Sequence, residues 1–378
     1  MRKKLLLLTV LALVFMISQP VDAFKIKGPK DSILNVKGYM QGWSMLATNA
    51  VIDKDGKRVF GGQFYCRRMR LLFGGRITKK IHFFYGTIQA NMGKDGNYAP
   101  AWTTADSWIS FDIAKSFKVD MGILMIPFLH NFRQGGATFH NIDAHYAIRK
   151  LPAGSHFLGR DNGVGIRGLL LGKSLSYFFH FTTGSMIKGG AARITARLVY
   201  NLFQPETKFF YAGTYLGKKK VVSFAVALDT LPLYGGIDKN GEKTTYLAFG
   251  ADLFIDLPMG KNGFTAQVNF AMYQNSIAKC IVDPTTKSKK CVPFNGMGIL
   301  AELGYRIGKV SILAGLDWLM PDGADFDKQH MAILGGVNYW LVGHKMNFKL
   351  QYMLTKAAGK TFDKASHTIL LQTQILFN

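Results

Sequence analysis

Glutamate is almost missing from this sequence. The 378 residues hold three, Glu206, Glu242 and Glu302, and soluble helical proteins lean on Glu as a helix former, so helix-rich folds are disfavoured. Acid is scarce altogether: 23 Asp plus Glu stand against 47 Lys plus Arg, giving a formal charge of +24. Long apolar runs are confined to the amino terminus, and no later stretch is long enough for a transmembrane helix. That leaves an exported soluble protein or a membrane β-barrel. With 48% apolar residues and 41 Gly, the chain is too hydrophobic for a disordered basic tail and too rich in side chains for a fibrous repeat.

Arg2, Lys3 and Lys4 precede an apolar run from Leu5 to Ile17, followed by Val21-Asp22-Ala23 with small residues where a signal peptidase reads. Residues 1–23 are therefore expected to be a cleaved signal peptide, because the run is shorter than the roughly 20 residues a spanning helix needs. The remainder, 24–378, reads as one domain carrying 44 basic and 22 acidic side chains.

That remainder is built of short alternating segments. Met346, Phe348, Leu350, Tyr352 and Leu354 fall on one face while Lys345, Asn347, Lys349 and Gln351 fall on the other, a period of two that marks a strand. Strands are predicted over 33–48, 62–77, 80–92, 104–114, 117–127, 161–172, 174–184 and 192–202. Eight more follow over 218–229, 245–256, 262–275, 296–307, 309–319, 329–342, 344–356 and 366–377. Tight turns such as Leu171-Gly172-Lys173-Ser174 alternate with longer polar connections. The fold class is all-β: a transmembrane antiparallel barrel of about 16 strands with short turns on one side and long loops on the other. Residues 207–217 could supply a further strand, but an odd count would reverse the last strand, so 203–217 is read as a long connection on the turn side. Trp318 and Trp340, near strand ends, are expected in an interfacial aromatic girdle.

Parity also places the bases. An Arg facing lipid at mid-depth costs about 2 to 4 kcal/mol, so Arg68, Arg70, Arg76, Arg167, Arg193, Arg197, Lys345 and Lys349 are assigned to the lumen, and Arg67 to the outside near the rim. The longest connection, 128–160, adds His130, Arg133, His140, His145, Arg149, Lys150, His156 and Arg160, which narrow and charge the pore if the loop folds inward. On the outer rim they would instead pair with outer-membrane lipid phosphates. An individual strand Arg could also serve only to pair with an Asp. A sixteen-stranded barrel is wide enough for an aqueous channel, and guanidinium forks suit phosphate and carboxylate oxygens. The function expected is an anion porin, with a plugged structural or adhesive barrel as the rival.

The segments Ile33-Leu34-Asn35-Val36-Lys37-Gly38, Phe64 to Gly75 with Arg67-Arg68, and Val119 to Phe128 resemble the phosphate-selective porins O and P. So do Gly213 to Lys220, Gly335 to Trp340 and Leu371 to Phe377. The resemblance implies a homotrimeric sixteen-stranded outer-membrane barrel with an inward-folded third loop and an arginine-lined path for phosphate or polyphosphate. By position it makes Arg67 and Arg68 the paired arginines that line the constriction. Tyr39 follows Gly38 where that family often carries Arg.

Other signals weigh less. Gly163 to Gly168 fits a dinucleotide fingerprint but lies in a predicted strand instead of opening a helix. Cys280 and Cys291 could close a loop disulfide or remain two thiols, and Cys66 falls on the lumen side by parity. His140 and His145 with Asp143 match no closed metal site, so solvated loop histidines are expected and neither metal nor cofactor is assigned. Ser176 and His180 share a strand face, a thin basis for a barrel lipid hydrolase, and the chain is read as no enzyme. A nucleic-acid partner is excluded by export and by the scatter of the charge.

Overall fold

The computed structural model describes residues 24–29, 31–52, 55, 58–145, 159–184, 192–232, 244–282, 289–322, 330–357 and 365–377; side chains of 49–52, 58, 276–282, 289–294 and 357 lie outside that description. Residues 1–23, where the signal is expected, also lie outside it. The strands are β1 (Phe24–Lys27), β2 (Ile33–Ile52), β3 (Arg58–Arg76), β4 (Ile81–Met92), β5 (Thr103–Ala114) and β6 (Phe117–Met125). They continue as β7 (Arg160–Leu170), β8 (Leu175–Thr182), β9 (Arg193–Asn201), β10 (Val221–Leu231), β11 (Tyr246–Met259) and β12 (Asn262–Val282). The last six are β13 (Lys289–Ile307), β14 (Val310–Pro321), β15 (His330–Tyr339), β16 (Leu341–His344), β17 (Met346–Ala357) and β18 (Ser366–Phe377).

Each long strand pairs antiparallel with its sequence neighbour, and β18 closes onto β2 through Thr368↔Ala47 to Phe377↔Gly38. The result is a closed barrel of sixteen strands, with β1 and β16 as short additions, as the alternation predicts. Closure leaves no unpaired sheet edge, which is the condition for a sheet to sit in lipid. Outward side chains such as Phe64, Phe224, Leu303, Ile312 and Leu350 form an exposed apolar surface.

Three features depart from the sequence reading. The hairpin β12–β13 runs about seven residues further at its loop end than predicted, because 276–294 carry no clean alternation. Trp340 is buried inside and donates from Nε1 to Ser311 Oγ at 2.7 Å, whereas Trp318 keeps the outward side of β14. In β3 both Arg67 and Arg68 stand against Gln41, a bulge that inverts the parity below it. Tyr65 therefore packs inward with Trp43, and Cys66 joins Phe64 on the outer side instead of the lumen.

Candidate functional site

Two connections fill the barrel from opposite ends. Residues 126–145 turn in from the loop end after β6, and 202–220, which is no strand, turns in from the turn end between β9 and β10. They meet in a parallel bridge, Gln134↔Tyr211, with Tyr211 N donating to Arg133 O at 2.8 Å and Gly213 N to Thr138 O at 2.9 Å. A Cβ on Gly213 would lie 2.6 Å from His140 N, so this approach requires glycine.

The inward loop is irregular backbone buried inside a closed barrel, so each peptide group needs a partner. The wall supplies them. Arg197 donates to Phe128 O (3.1 Å), Gln41 to Gly136 O (3.0 Å), Gln374 to Ala137 O (2.9 Å) and Asn338 to His140 O (2.7 Å). Lys349 Nζ donates to both Phe139 O (2.6 Å) and Asn141 O (2.9 Å). Asp252 accepts from His130 N, Asn269 from Asn131 N and Gln351 from Ile142 N. Apolar contacts finish the docking, with Phe128, Leu129 and Phe132 against Ala227, Tyr246, Ala271 and Leu300, and Ile142 against Trp43, Tyr65 and Leu370. Phe128, Leu129 and Phe132 thereby fill the interior against β10–β13.

Several bases assigned to the lumen are therefore not available to a solute. Arg193 is sealed against Asp229, with Nε 2.8 Å from Oδ1, and Arg197 is bidentate to Asp252. Lys349 is spent on the loop carbonyls. Arg167 pairs with Asp120 (2.6 Å) yet still borders open space at the turn end, and Arg76 donates to Asp31 O at the turn-end rim, where Lys345 also lies. Arg133 is buried between the rings of Phe178 and Tyr211, 4.2 and 4.7 Å from its Cζ, and donates to Phe209 O. Burial pulls its pKa below the usual guanidinium value; Tyr211 opposes that shift, and Arg167 and Arg197 add to it.

The loop histidines are not solvated. His130 Nε2 lies 2.8 Å from Glu206 Oε2, whose other oxygen accepts from Tyr215 Oη. His145 Nε2 lies 3.2 Å from Glu302 Oε2, and His140 Nδ1 lies 3.6 Å from Glu302 Oε1. Two of the three glutamates thus hold the plug. Arg149, Lys150 and His156 fall outside the described residues. Ser176 and His180 are buried on the inner side, with Ser176 Oγ accepting from Asn201, so neither meets lipid.

Open space survives along β2–β7 and, at the loop end, reaches round to β14–β18. A chamber of ≈ 460 Å³ at the loop end is bounded by Trp43, Tyr65, Arg67, Asp143 and His145. One of ≈ 380 Å³ at the turn end is bounded by Lys37, Trp108, Lys118, Arg167 and Phe209. Between them lies a gap of ≈ 50 Å³, whose lining includes Tyr39, Arg68, Arg70, Asn131, Gln134 and Arg160 and no carboxylate. The acids stand behind: Asp106 takes Arg160 Nε (2.6 Å) and Arg70 Nη2 (2.5 Å), and Asp143 takes Arg67 (2.8 Å) and Arg68. Among the described residues around the constriction, four arginines stand against these two aspartates. The bulge brings Arg67 inside, against the parity reading and in line with the resemblance. Sequence reasoning missed Tyr39, Asp106 and the role of Arg160; extending the parity test to the aspartates would have found Asp106, Asp120, Asp229 and Asp252 on the same inner face as the arginines.

The fold has clear counterparts. The outer membrane channel DcaP of Acinetobacter baumannii superposes with a TM-score of 0.57 at 12% identity, over 93% of this chain and 100% of that one. The fold is that of the outer-membrane porins. OprB of Pseudomonas putida shares the porin fold at a TM-score of 0.58 and 9% identity, covering 91% and 94% of the two chains. The anion-selective porin from Comamonas acidovorans does so at 0.57 and 11% identity, covering 92% and 100%. No protein-family model and no curated sequence matches this chain.

Proposed function

We propose that this chain is an exported outer-membrane porin, a homotrimer, that lets small anions diffuse through the passage beside β2–β6, with phosphate or polyphosphate favoured. The observation that carries the reading is the ≈ 50 Å³ gap faced by Arg68, Arg70 and Arg160 without a carboxylate in its lining. An anion there exchanges water for guanidinium N–H donors, while a cation meets a net positive field in a low-dielectric surround. The aspartates behind the arginines fix the forks in place and temper their charge, which keeps binding weak enough for release. A general anion porin requires the same constriction without a preference among oxyanions.

A second reading rests on the plug. Two inward segments and their wall contacts occupy most of the bore, as in a barrel kept for structure or adhesion. Reversal potentials of the purified protein in a planar bilayer under a chloride gradient separate the two. The porin reading expects a small conductance with an anion-to-cation permeability ratio well above one; absence of current supports the sealed barrel.

A further inference from the structure

The turn end of the barrel carries an unusual distribution of charge that the passage does not use. Six of its connections bear a lysine: Lys79 between β3 and β4, Lys115 between β5 and β6, Lys173 between β7 and β8, Lys220 before β10, Lys261 between β11 and β12, and Lys309 between β13 and β14. All six are exposed. Among the described residues at this end, Asp31 is the one exposed carboxylate, and it is matched by Lys79 at 3.3 Å. The lysines do not form a patch facing one direction. They recur around the circumference at one level.

That level is set by what lies beside them. Ile77 precedes Lys79, Ile113 and Phe117 bracket Lys115, and Leu171, 76% exposed, precedes Lys173. Met259 precedes Lys261, and Ile307 and Val310 bracket Lys309. Lys220 Nζ stands 3.7 Å from the ring centroid of the exposed Phe203. Each lysine thus lies beside an exposed apolar side chain, within two residues in sequence for five of them and by contact with Phe203 for Lys220, the arrangement of a stem lying along hydrocarbon with its head at the headgroup layer. A field meant to collect solute would concentrate at the mouth, and a protein partner would need one contiguous face. Lysines repeated at the apolar boundary from β3 round to β14 match a lipid surface.

We propose that these lysines form a collar that binds the phosphate headgroups of anionic phospholipids, such as phosphatidylglycerol, in the leaflet that meets the turn end. Each lysine supplies a point charge to a phosphodiester, and the adjacent apolar residue takes the start of the acyl chain.

The test uses the full folded chain in mixed micelles holding equal phosphatidylglycerol and phosphatidylcholine, with retained lipid counted by native mass spectrometry. The collar predicts enrichment of the anionic lipid by about threefold or more. Combined Lys79→Gln, Lys115→Gln, Lys173→Gln, Lys220→Gln, Lys261→Gln and Lys309→Gln brings the two lipids to parity, and the matching Lys→Arg set keeps the enrichment. Equal retention by the wild type, or enrichment that survives the glutamine set, overturns the proposal. Should the glutamine set fail to fold, salt decides on the wild type: raising it from about 0.1 M to about 1 M shortens the screening length from ~10 Å to ~3 Å and should abolish the preference. A preference that persists at high salt overturns the collar. Exchanging chloride for inorganic phosphate at constant ionic strength should leave the lipid bound; its displacement would assign the lysines to free phosphate instead.

Discussion

Arginine does two different jobs in this barrel; Arg68, Arg70, Arg160, Arg193 and Arg197 are all buried, and what separates them is pairing and what they border. Arg193 and Arg197 have lost nearly all contact with solvent and each is bidentate to an aspartate, so their charge is cancelled where it stands. Arg68, Arg70 and Arg160 share two aspartates with Arg67 and keep a face toward the gap. Replacing Arg68 with Ala is expected to lower the anion-to-cation permeability ratio by at least about fivefold, the factor that ~1 kcal/mol of lost attraction gives even at the dielectric constant of water, read from reversal potentials. Replacing Arg193 with Ala should leave that ratio unchanged and lower stability instead, by about 3–5 kcal/mol, because Asp229 is left buried and unmatched; denaturant titration of the folded band on gels measures it. A fall in selectivity in the second variant equal to that in the first would contradict the division. Parity alone could not draw this distinction: it gave the side of the strand each arginine occupies, while the partner lies on a neighbouring strand whose register the sequence does not state.

Among the elements, the strands were the most legible part. Alternation alone located all sixteen, because outward apolar and inward polar side chains repeat every two residues wherever lipid lies on one side and packed polar groups on the other. The same rule failed at the bulge in β3, where one added residue changes the meaning of every position below it and brings Arg67 inside. It was silent on 126–145 and 202–220, whose positions depend on wall groups distant in sequence. Lys349 is the clearest case. By pattern it is a lumen cation, and in the structure its ammonium holds two loop carbonyls 210 and 208 residues away. Lys349→Met should free that part of the loop and raise single-channel conductance and current noise; an unchanged conductance would mean the remaining contacts hold the plug without it. In the β12–β13 hairpin the register sets Cys280 directly across from Cys291, a spacing within disulfide reach. If the chain is exported to an oxidising compartment, as proposed, both thiols are expected to resist alkylation until reductant is added, and labelling without reductant would show that they are free.

At the scale of the whole molecule, a strongly basic chain is arranged in three zones: paired arginines that fix the plug, a constriction faced by arginine, and exposed lysines at the turn end. The plug explains why a barrel of sixteen strands has so little open bore. On the proposed path a solute meets the narrow gap, so it must be small and must shed water to pass. The central claim is that this gap is an anion site on a conducting path. Current through single channels of the purified protein in a planar bilayer, in chloride with phosphate titrated in, tests it most directly. The account predicts a small anion-selective current that phosphate blocks in a concentration-dependent way, with the block weakened in an Arg70→Ala variant. A current indifferent to phosphate, or selective for cations, or equally blocked in the variant, would contradict it.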